Sequence, residues 1–155
     1  MILAQVDSPE PTGFYVKVGS KVDLMHAATG HVILAHQTED ARERAIQEWA
    51  NETKKKKPAD LDDHLAKIRQ RGYERRASYE VAAVTNISFP VLNAQGNAVA
   101  GLTVPYVKRI EDSISVQEIV TALKKASRDI SEALGAVPEG DETESASGRA
   151  TKAKK

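Results

Sequence analysis

Residues 84–106 contain two stretches in which apolar and small polar side chains alternate, with a short loop between them. Side chains of a β-strand point to opposite faces with a period of two residues, so the alternation predicts a β-hairpin whose two faces differ chemically. The loop at residues 93–97 has the short, glycine-containing composition typical of a hairpin turn. This ribbon limits the fold because it needs an apolar neighbour on one side only.

The two faces of the predicted hairpin can be assigned residue by residue. One face carries the apolar side chains Ile87, Phe89, Val91, Ala100, Leu102 and Val104. The other face carries Asn86, Ser88, Pro90, Gly101 and Thr103. The first face is expected to pack on helices, whereas the hydroxyls and the amide of the second are expected to line a ligand site.

The composition excludes several function classes. The chain has 155 residues, 41% of them hydrophobic, which is enough for one domain with its own core. Its 22 basic residues balance 22 acidic ones, so no overall positive field would hold DNA. Cysteine is absent, which excludes thiol nucleophiles and disulfides. There is no membrane-length apolar run and no signal peptide, so the sequence predicts a cytoplasmic protein without a membrane partner.

The first half of the chain predicts two strands and then three helices. Residues 2–6 and 13–18 are apolar runs separated by a proline-containing loop and are expected to be strands. Residues 25–35 are small and apolar, which predicts a buried helix. The next helix is predicted over residues 39–53, with Thr38 as its N-cap. A third helix is predicted to begin after a cap at Asp60 and to end at Gly72. The predicted buried positions of these two helices are Ala45, Ile46, Trp49, Ala50, Leu61, Leu65 and Ile68.

The C-terminal region predicts one long helix and a tail. Ser115 and Glu118 have the spacing of a capping box, and the helix is expected to reach Gly135. Its predicted apolar stripe is Val116, Ile119, Val120, Leu123, Ala126, Ile130 and Leu134. Residues 137–155 contain no large apolar side chain after Val137 and are predicted to be a disordered tail. Together these elements predict an α+β domain with a mainly antiparallel sheet.

Motifs for catalysis and metal binding are missing from the sequence. There is no H-E-x-x-H, no G-x-S-x-G and no phosphate-binding glycine loop. Successive histidines do not share a helix face at ligand spacing; the four are His26, His31, His36 and His64. The sequence therefore predicts a binding protein rather than an enzyme, with no catalytic residue, no metal site and no cofactor.

Three blocks of the sequence resemble, in order, the C-terminal effector-binding domain of IclR-type bacterial transcriptional regulators. These blocks are DLMHAATGHVILA, LDDHLAKIRQRGY and VTNISFPVLNAQGNAVAGLTVPY. The resemblance covers residues 2–135, and it implies a GAF-like or profilin-like fold for residues 1–136, a small-molecule pocket between sheet and helices, and homodimers or homotetramers. It also implies operator DNA as a partner only through an N-terminal winged helix-turn-helix. That module is absent from this chain, which is expected to be the sensor half.

The resemblance also implies which residues bind the effector. Carried over position by position, these are Ala28, Thr29, Gly30, Val84, Asn86, Ser88, Thr103 and Pro105. Arg76 stands where a well-known member has a carboxylate, and Asn86 stands where that member has a cysteine. A guanidinium near the pocket suits a carboxylate, so a small organic or sugar acid is the expected effector. The alternative for Arg76 is a solvent-facing strand end.

Three functions remain open at this point. The first is an effector-sensing and oligomerising domain of a transcriptional regulator. The second is a small α+β enzyme that acts on a metabolite. The third is a purely structural dimerisation domain, in which Asn86 and Thr103 are hydrogen-bonded with no cavity between them.

Overall fold

The computed structural model describes residues 1–8, 13–108 and 114–137. Within these ranges the chain forms four helices and one three-stranded antiparallel sheet. In chain order the elements are α1 (Ala28–Ala35), α2 (Glu39–Thr53), α3 (Leu61–Arg71), β1 (Glu74–Ala77), β2 (Val84–Leu92), β3 (Ala98–Val107) and α4 (Val116–Ala133). The predicted α+β class is therefore confirmed. The predicted tail lies outside the described residues, except for Val137.

The sheet is organised around the predicted hairpin, which is confirmed. Its strand order is β1-β2-β3, and both neighbouring pairs are antiparallel. Ser88 in the central strand lies opposite Glu74 on one side and Thr103 on the other. In the turn, the Asn93 side chain accepts two backbone N–H groups, each at 3.0 Å, and Gly96 has a φ of 74°. Such a positive φ favours glycine.

The apolar face of the hairpin packs against α4, as its alternation predicts. Ile87 and Phe89 are buried together with Val120 and Leu123 of the helix. The ring of Tyr73 stacks on Phe89 with a centroid distance of 4.9 Å and an interplanar angle of 8°. Burying each large apolar side chain contributes about 1.5–3 kcal/mol. This layer is the core of the sheet side of the molecule.

The predicted apolar stripe of α4 is wrong in its last two turns. The helix begins with the predicted capping box at Ser115, but Ile130 and Leu134 are 42% and 51% exposed. Ser127 and Ser131 are buried in their place. The helix therefore turns hydroxyls rather than alkyl groups towards the end of the hairpin.

The geometry of β2 explains these buried serines. β1 pairs only with residues 85–88 of β2, so the later residues of β2 lack a partner strand on that side. The Ser127 hydroxyl donates to the Pro90 carbonyl at 2.5 Å, and the Leu92 N–H donates to the Ser131 hydroxyl at 2.9 Å. Buried backbone groups need such partners, so α4 replaces the missing strand.

The helices α1, α2 and α3 form a second apolar core. Its buried members include Val32, Leu34, Ile46, Trp49, Leu61, Leu65 and Ile68. The bounds of α2 agree with the prediction, whereas α1 begins three residues later than predicted. Gly30 allows the chain before α1 to pack against the helix, because a Cβ atom at this position would lie 2.2 Å from the Leu24 carbonyl oxygen.

Two smaller predictions about this half of the chain are wrong. Residues 2–6 and 13–18 form no strand; Ile2 makes two backbone hydrogen bonds, with Gly19 and Ser20, each at 2.9 Å. Their apolar side chains are largely exposed, so no buried face supports a ladder. Asp60 occupies the N-cap position of α3, but its side chain makes no capping hydrogen bond. The helix nevertheless ends as predicted at Gly72, which has a φ of 83°.

None of the helices in the described part of the chain is both long enough and apolar enough to cross a membrane.

Candidate functional site

The second face of the sheet carries polar side chains and is covered by α1, and His64 of α3 reaches it at Glu74. We call this the polar layer; it consists of Glu74 and Arg76 from β1, Asn86 and Ser88 from β2, Thr103 from β3, Thr29 and His31 from α1, and His64 from α3. Strand pairing explains why the sheet residues face the same way. Glu74, Ser88 and Thr103 lie side by side across the three strands, and Arg76, Asn86 and Pro105 form the next row.

One end of the polar layer consists of three hydroxyl groups in contact. The Thr103 hydroxyl lies 2.6 Å from that of Thr29 and 2.7 Å from that of Ser88, which is fully buried. A Cβ atom added to Gly101 would lie 2.7 Å from Thr29 Cγ2, so α1 packs directly on β3 here. No space for a ligand therefore separates Thr29 from Thr103, in contrast to the predicted pocket between these residues.

The other end of the polar layer centres on Arg76 and His31. Nε2 of His31 lies 2.8 Å from the Met25 carbonyl, which can only accept, so this nitrogen carries the proton and donates. Nδ1 is then the acceptor for Arg76 Nη1, at 2.7 Å. Burial, and after it the Arg76 charge, lowers the pKa of His31, so the imidazole is neutral near pH 7.

Glu74 is the buried carboxylate of the polar layer, with 1% of its surface exposed. Its Oε2 lies 2.5 Å from His64 Nε2. Its Oε1 accepts hydrogen bonds from Arg71 Nη2 at 3.1 Å and from the Arg75 backbone N–H at 2.7 Å. The Arg71 guanidinium therefore balances the charge of this carboxylate.

Arg76, in contrast, has no counter-ion in the part of the chain that the structure describes. The acidic partner in the polar layer, Glu74, forms an ion pair with Arg71 and a hydrogen bond with His64. The Arg76 guanidinium donates instead to Nδ1 of the neutral His31 imidazole. A half-buried cation that forms no ion pair with a described carboxylate favours an anion from outside the protein.

The structure brings some of the predicted effector residues together and separates others. Thr29, Ser88 and Thr103 form the closed hydroxyl end, and Arg76 lies in one strand row with Asn86 and Pro105. Three predicted residues contribute packing instead. Ala28 and Val84 are 1% and 4% exposed, and Gly30 is pressed against Leu24.

Sequence reasoning missed three members of the polar layer, namely Glu74, His31 and His64. The spacing argument compared successive histidines along one helix, whereas His31 and His64 lie on different helices with ring centroids 5.1 Å apart. The alternation on β1 could have identified Glu74, because it lies two residues before Arg76 and therefore on the same face.

A concave region lies away from the polar layer. It is an open groove of about 550 Å³ between residues 21–24, the α2 side chains Glu48, Trp49 and Glu52, and the pair Tyr79 and Glu80. None of the predicted effector residues lines this groove.

Comparison with known proteins identifies the class of this domain. The family model described as "Bacterial transcriptional regulator IclR C-terminal" matches residues 1–132. The chain therefore belongs to the family of IclR C-terminal domains, which are parts of transcriptional regulators and not enzymes. No curated protein matches the chain by sequence.

Solved structures agree with this assignment. HmgR from Pseudomonas aeruginosa is similar at 27% identity with a TM-score of 0.67, covering 86% of this chain and 53% of that one. The IclR protein of Thermotoga maritima is similar at 26% identity with a TM-score of 0.66, covering 84% and 54%. An IclR regulator from Alicyclobacillus acidocaldarius, at 21% identity, shares the fold with a TM-score of 0.69 over 86% and 55%. The chain thus spans about half the length of these proteins.

Proposed function

We propose that this domain senses a small organic or sugar acid for a DNA-binding regulator and that it assembles into homodimers or homotetramers. The observation that supports the ligand class is Arg76, a half-buried guanidinium whose protein partner is a neutral imidazole. In this proposal operator DNA is bound in the cytoplasm through an N-terminal winged helix-turn-helix, outside the residues of this chain.

The proposed ligand binds at the Arg76 end of the polar layer. A carboxylate accepts two parallel hydrogen bonds from a guanidinium, a geometry that a lysine cannot offer. The amide of Asn86 lies in the same strand row and can bond a hydroxyl or keto oxygen of the acid. The hydroxyl end is already in contact with α1, so Thr29 and Thr103 limit the size of the ligand on that side.

Binding at Arg76 would alter the contact between the sheet and α1. The Arg76–His31 hydrogen bond joins β1 to α1, and a carboxylate that takes over Arg76 Nη1 removes it. The acid would therefore favour an arrangement of α1 that differs from the unliganded one. A ligand changes an equilibrium only through such a difference in affinity between two states.

Isothermal titration calorimetry with a panel of small hydroxy, keto and sugar acids tests this proposal. For an acid that binds, Arg76→Gln should weaken binding by about 10–100-fold, because a hydrogen bond to a charged group contributes about 1.5–3 kcal/mol. Arg75→Gln is the matched control, because Arg75 is the adjacent arginine, is exposed and lies on the opposite face of β1. It should leave the affinity unchanged.

Two results would contradict the proposed ligand site. The first is that no acid binds at millimolar concentration. The second is that Arg75→Gln and Arg76→Gln weaken binding equally, since only one of the two side chains faces the polar layer. Asn86→Leu, which removes the amide, should also weaken binding of any acid that carries a second oxygen.

A structural dimerisation domain is the second candidate, and the closed hydroxyl end favours it. Thr29, Ser88 and Thr103 satisfy one another without a ligand. Light scattering on the same preparations separates the candidates. A stable oligomer that binds none of the acids supports the structural function.

A further inference from the structure

His31, His64 and Glu74 bring three potential metal-ligand atoms together in the polar layer. One ring nitrogen of each histidine and a Glu74 carboxylate oxygen all lie within 4.8 Å of one another. The Glu74 oxygen is 2.5 Å from His64 Nε2 and 3.9 Å from His31 Nδ1. In a tetrahedral zinc site with ligand distances of about 2.0–2.1 Å, neighbouring ligand atoms are about 3.3 Å apart. Side-chain movements on the order of 1 Å would therefore reach metal geometry.

The surroundings hold the ligand atoms of His31 and Glu74 in place. The Met25 carbonyl holds the proton of His31 on Nε2, so Nδ1 carries a lone pair, which accepts from Arg76 Nη1 here and which an ion would use in its place. Arg71 and the Arg75 backbone N–H occupy Oε1 of Glu74, which leaves Oε2 facing the histidines. Metal-binding histidines and carboxylates are held by outer partners of this kind.

We propose that His31, His64 and Glu74 bind a divalent transition metal ion of the zinc type. Two imidazoles and one carboxylate are a known ligand set for a zinc ion that keeps a fourth position for water or a ligand oxygen. His64 is half-buried, so the ion reaches the cluster from the surface of α3. This inference goes beyond the proposed function, because its probe is the metal ion alone and needs no effector.

Arg76 opposes the metal ion in this arrangement. Its Nη1 lies 2.7 Å from the Nδ1 atom that the ion would use, and it carries the same sign of charge. The guanidinium must therefore move away when the ion binds. Removing the guanidinium should strengthen metal binding, whereas the proposed acid binding should become weaker with the same substitution. The two proposals can consequently fail independently.

Titration of the chain with Co²⁺, followed by displacement with Zn²⁺, tests the inference. We expect saturable binding of one ion per chain with the visible absorption of tetrahedral Co²⁺. His64→Gln should weaken binding by more than about 100-fold, because loss of an outer partner alone costs about 10–100-fold. His26→Gln is the matched control: it removes a histidine that pairs with Asp23, outside the cluster, and should not change the affinity.

Further variants keep the test decisive if one of them fails to fold. Glu74→Gln preserves the volume of the buried side chain and should also weaken Co²⁺ binding, whereas Arg76→Gln should strengthen it. Circular dichroism of each variant establishes that it is folded. The inference is overturned if no saturable binding occurs up to millimolar Co²⁺. It is equally overturned if folded His64→Gln binds as tightly as the unaltered chain.

Discussion

The two faces of the hairpin meet different partners, and the difference shows what alternation can and cannot predict. On one face, Ile87 and Phe89 pack against α4 through contacts that depend mainly on size and hydrophobicity. On the other, Ser88 and Thr103 depend on the hydroxyl group that each offers the other and on the Thr29 hydroxyl of α1. An apolar face accepts any well-shaped apolar neighbour, whereas a polar face needs a specific donor or acceptor at each atom. The predictions below, in order of decreasing size, test this contrast.

Truncation on the apolar face should have the largest effect. Ile87 has no exposed surface, so Ile87→Ala should lower the free energy of unfolding by about 2–5 kcal/mol through lost burial and a cavity. Urea denaturation measures the change. Val99→Ala on β3 is the control, because Val99 is 52% exposed. If the two variants lose the same stability, the apolar face is not the core that the structure shows.

The close approach of α1 to β3 gives the second prediction. Gly101→Ala should lower the free energy of unfolding by about 1–3 kcal/mol, because the new methyl group would overlap Thr29 Cγ2. Thr29→Ser keeps the hydroxyl and removes that methyl group, so the double variant should recover most of the loss in urea denaturation. If Thr29→Ser does not restore stability to Gly101→Ala, the loss of stability does not come from overlap with the Thr29 methyl group.

The hydroxyl cluster gives a smaller prediction. Thr103→Val keeps the shape of the side chain and removes the hydroxyl that Thr29 and Ser88 share, so it should cost about 1–2 kcal/mol. The same measurement on Thr121→Val, an exposed position of α4, should show a change within about 0.5 kcal/mol. If the two substitutions change the free energy of unfolding equally, the buried hydroxyl cluster stabilises the fold no more than an exposed hydroxyl does.

We expect pH to change the free energy of unfolding least, because this prediction concerns the protonation of one side chain, His31. The pKa of His31 is lowered in the folded chain by burial and by Arg76, so the unfolded chain takes up a proton first. Stability should therefore fall as the pH drops below about 6.5, the pKa of an unperturbed histidine. In urea unfolding at different pH values, His31→Gln should show a shallower dependence on pH. A slope that stays the same in this variant would assign the effect to another group.

The sequence predicted the elements that depend on local patterns. The hairpin, α2 and the end of α3 at Gly72 agree with the structure, because period, capping and backbone preference act within a few residues. The buried Ser127 and Ser131 could not be predicted, since their burial follows from how far β1 extends along β2. Tertiary context decided which side of α4 faces the sheet.

The candidate site shows the same limit more clearly. Alternation selected Asn86, Ser88 and Thr103, and the resemblance added Arg76. His31 and His64 lie on two different helices, and local sequence patterns do not predict how those helices pack together. That packing brings both histidines close to Glu74. Whether Thr29 and Thr103 touch or stand apart depends on the distance between a helix and a sheet. Side-chain chemistry alone does not determine that distance.

The contact between Thr29 and Gly101 has a mechanical consequence for α1. Thr29 has a short branched side chain and Gly101 has none, so neither residue can adjust the distance between the helix and the sheet by changing a side-chain rotamer. Towards β1, by contrast, the spacer between helix and sheet is the flexible side chain of Arg76. If α1 rotates against the sheet, the contact with Gly101 would therefore stay fixed as the pivot, and His31 would move relative to β1.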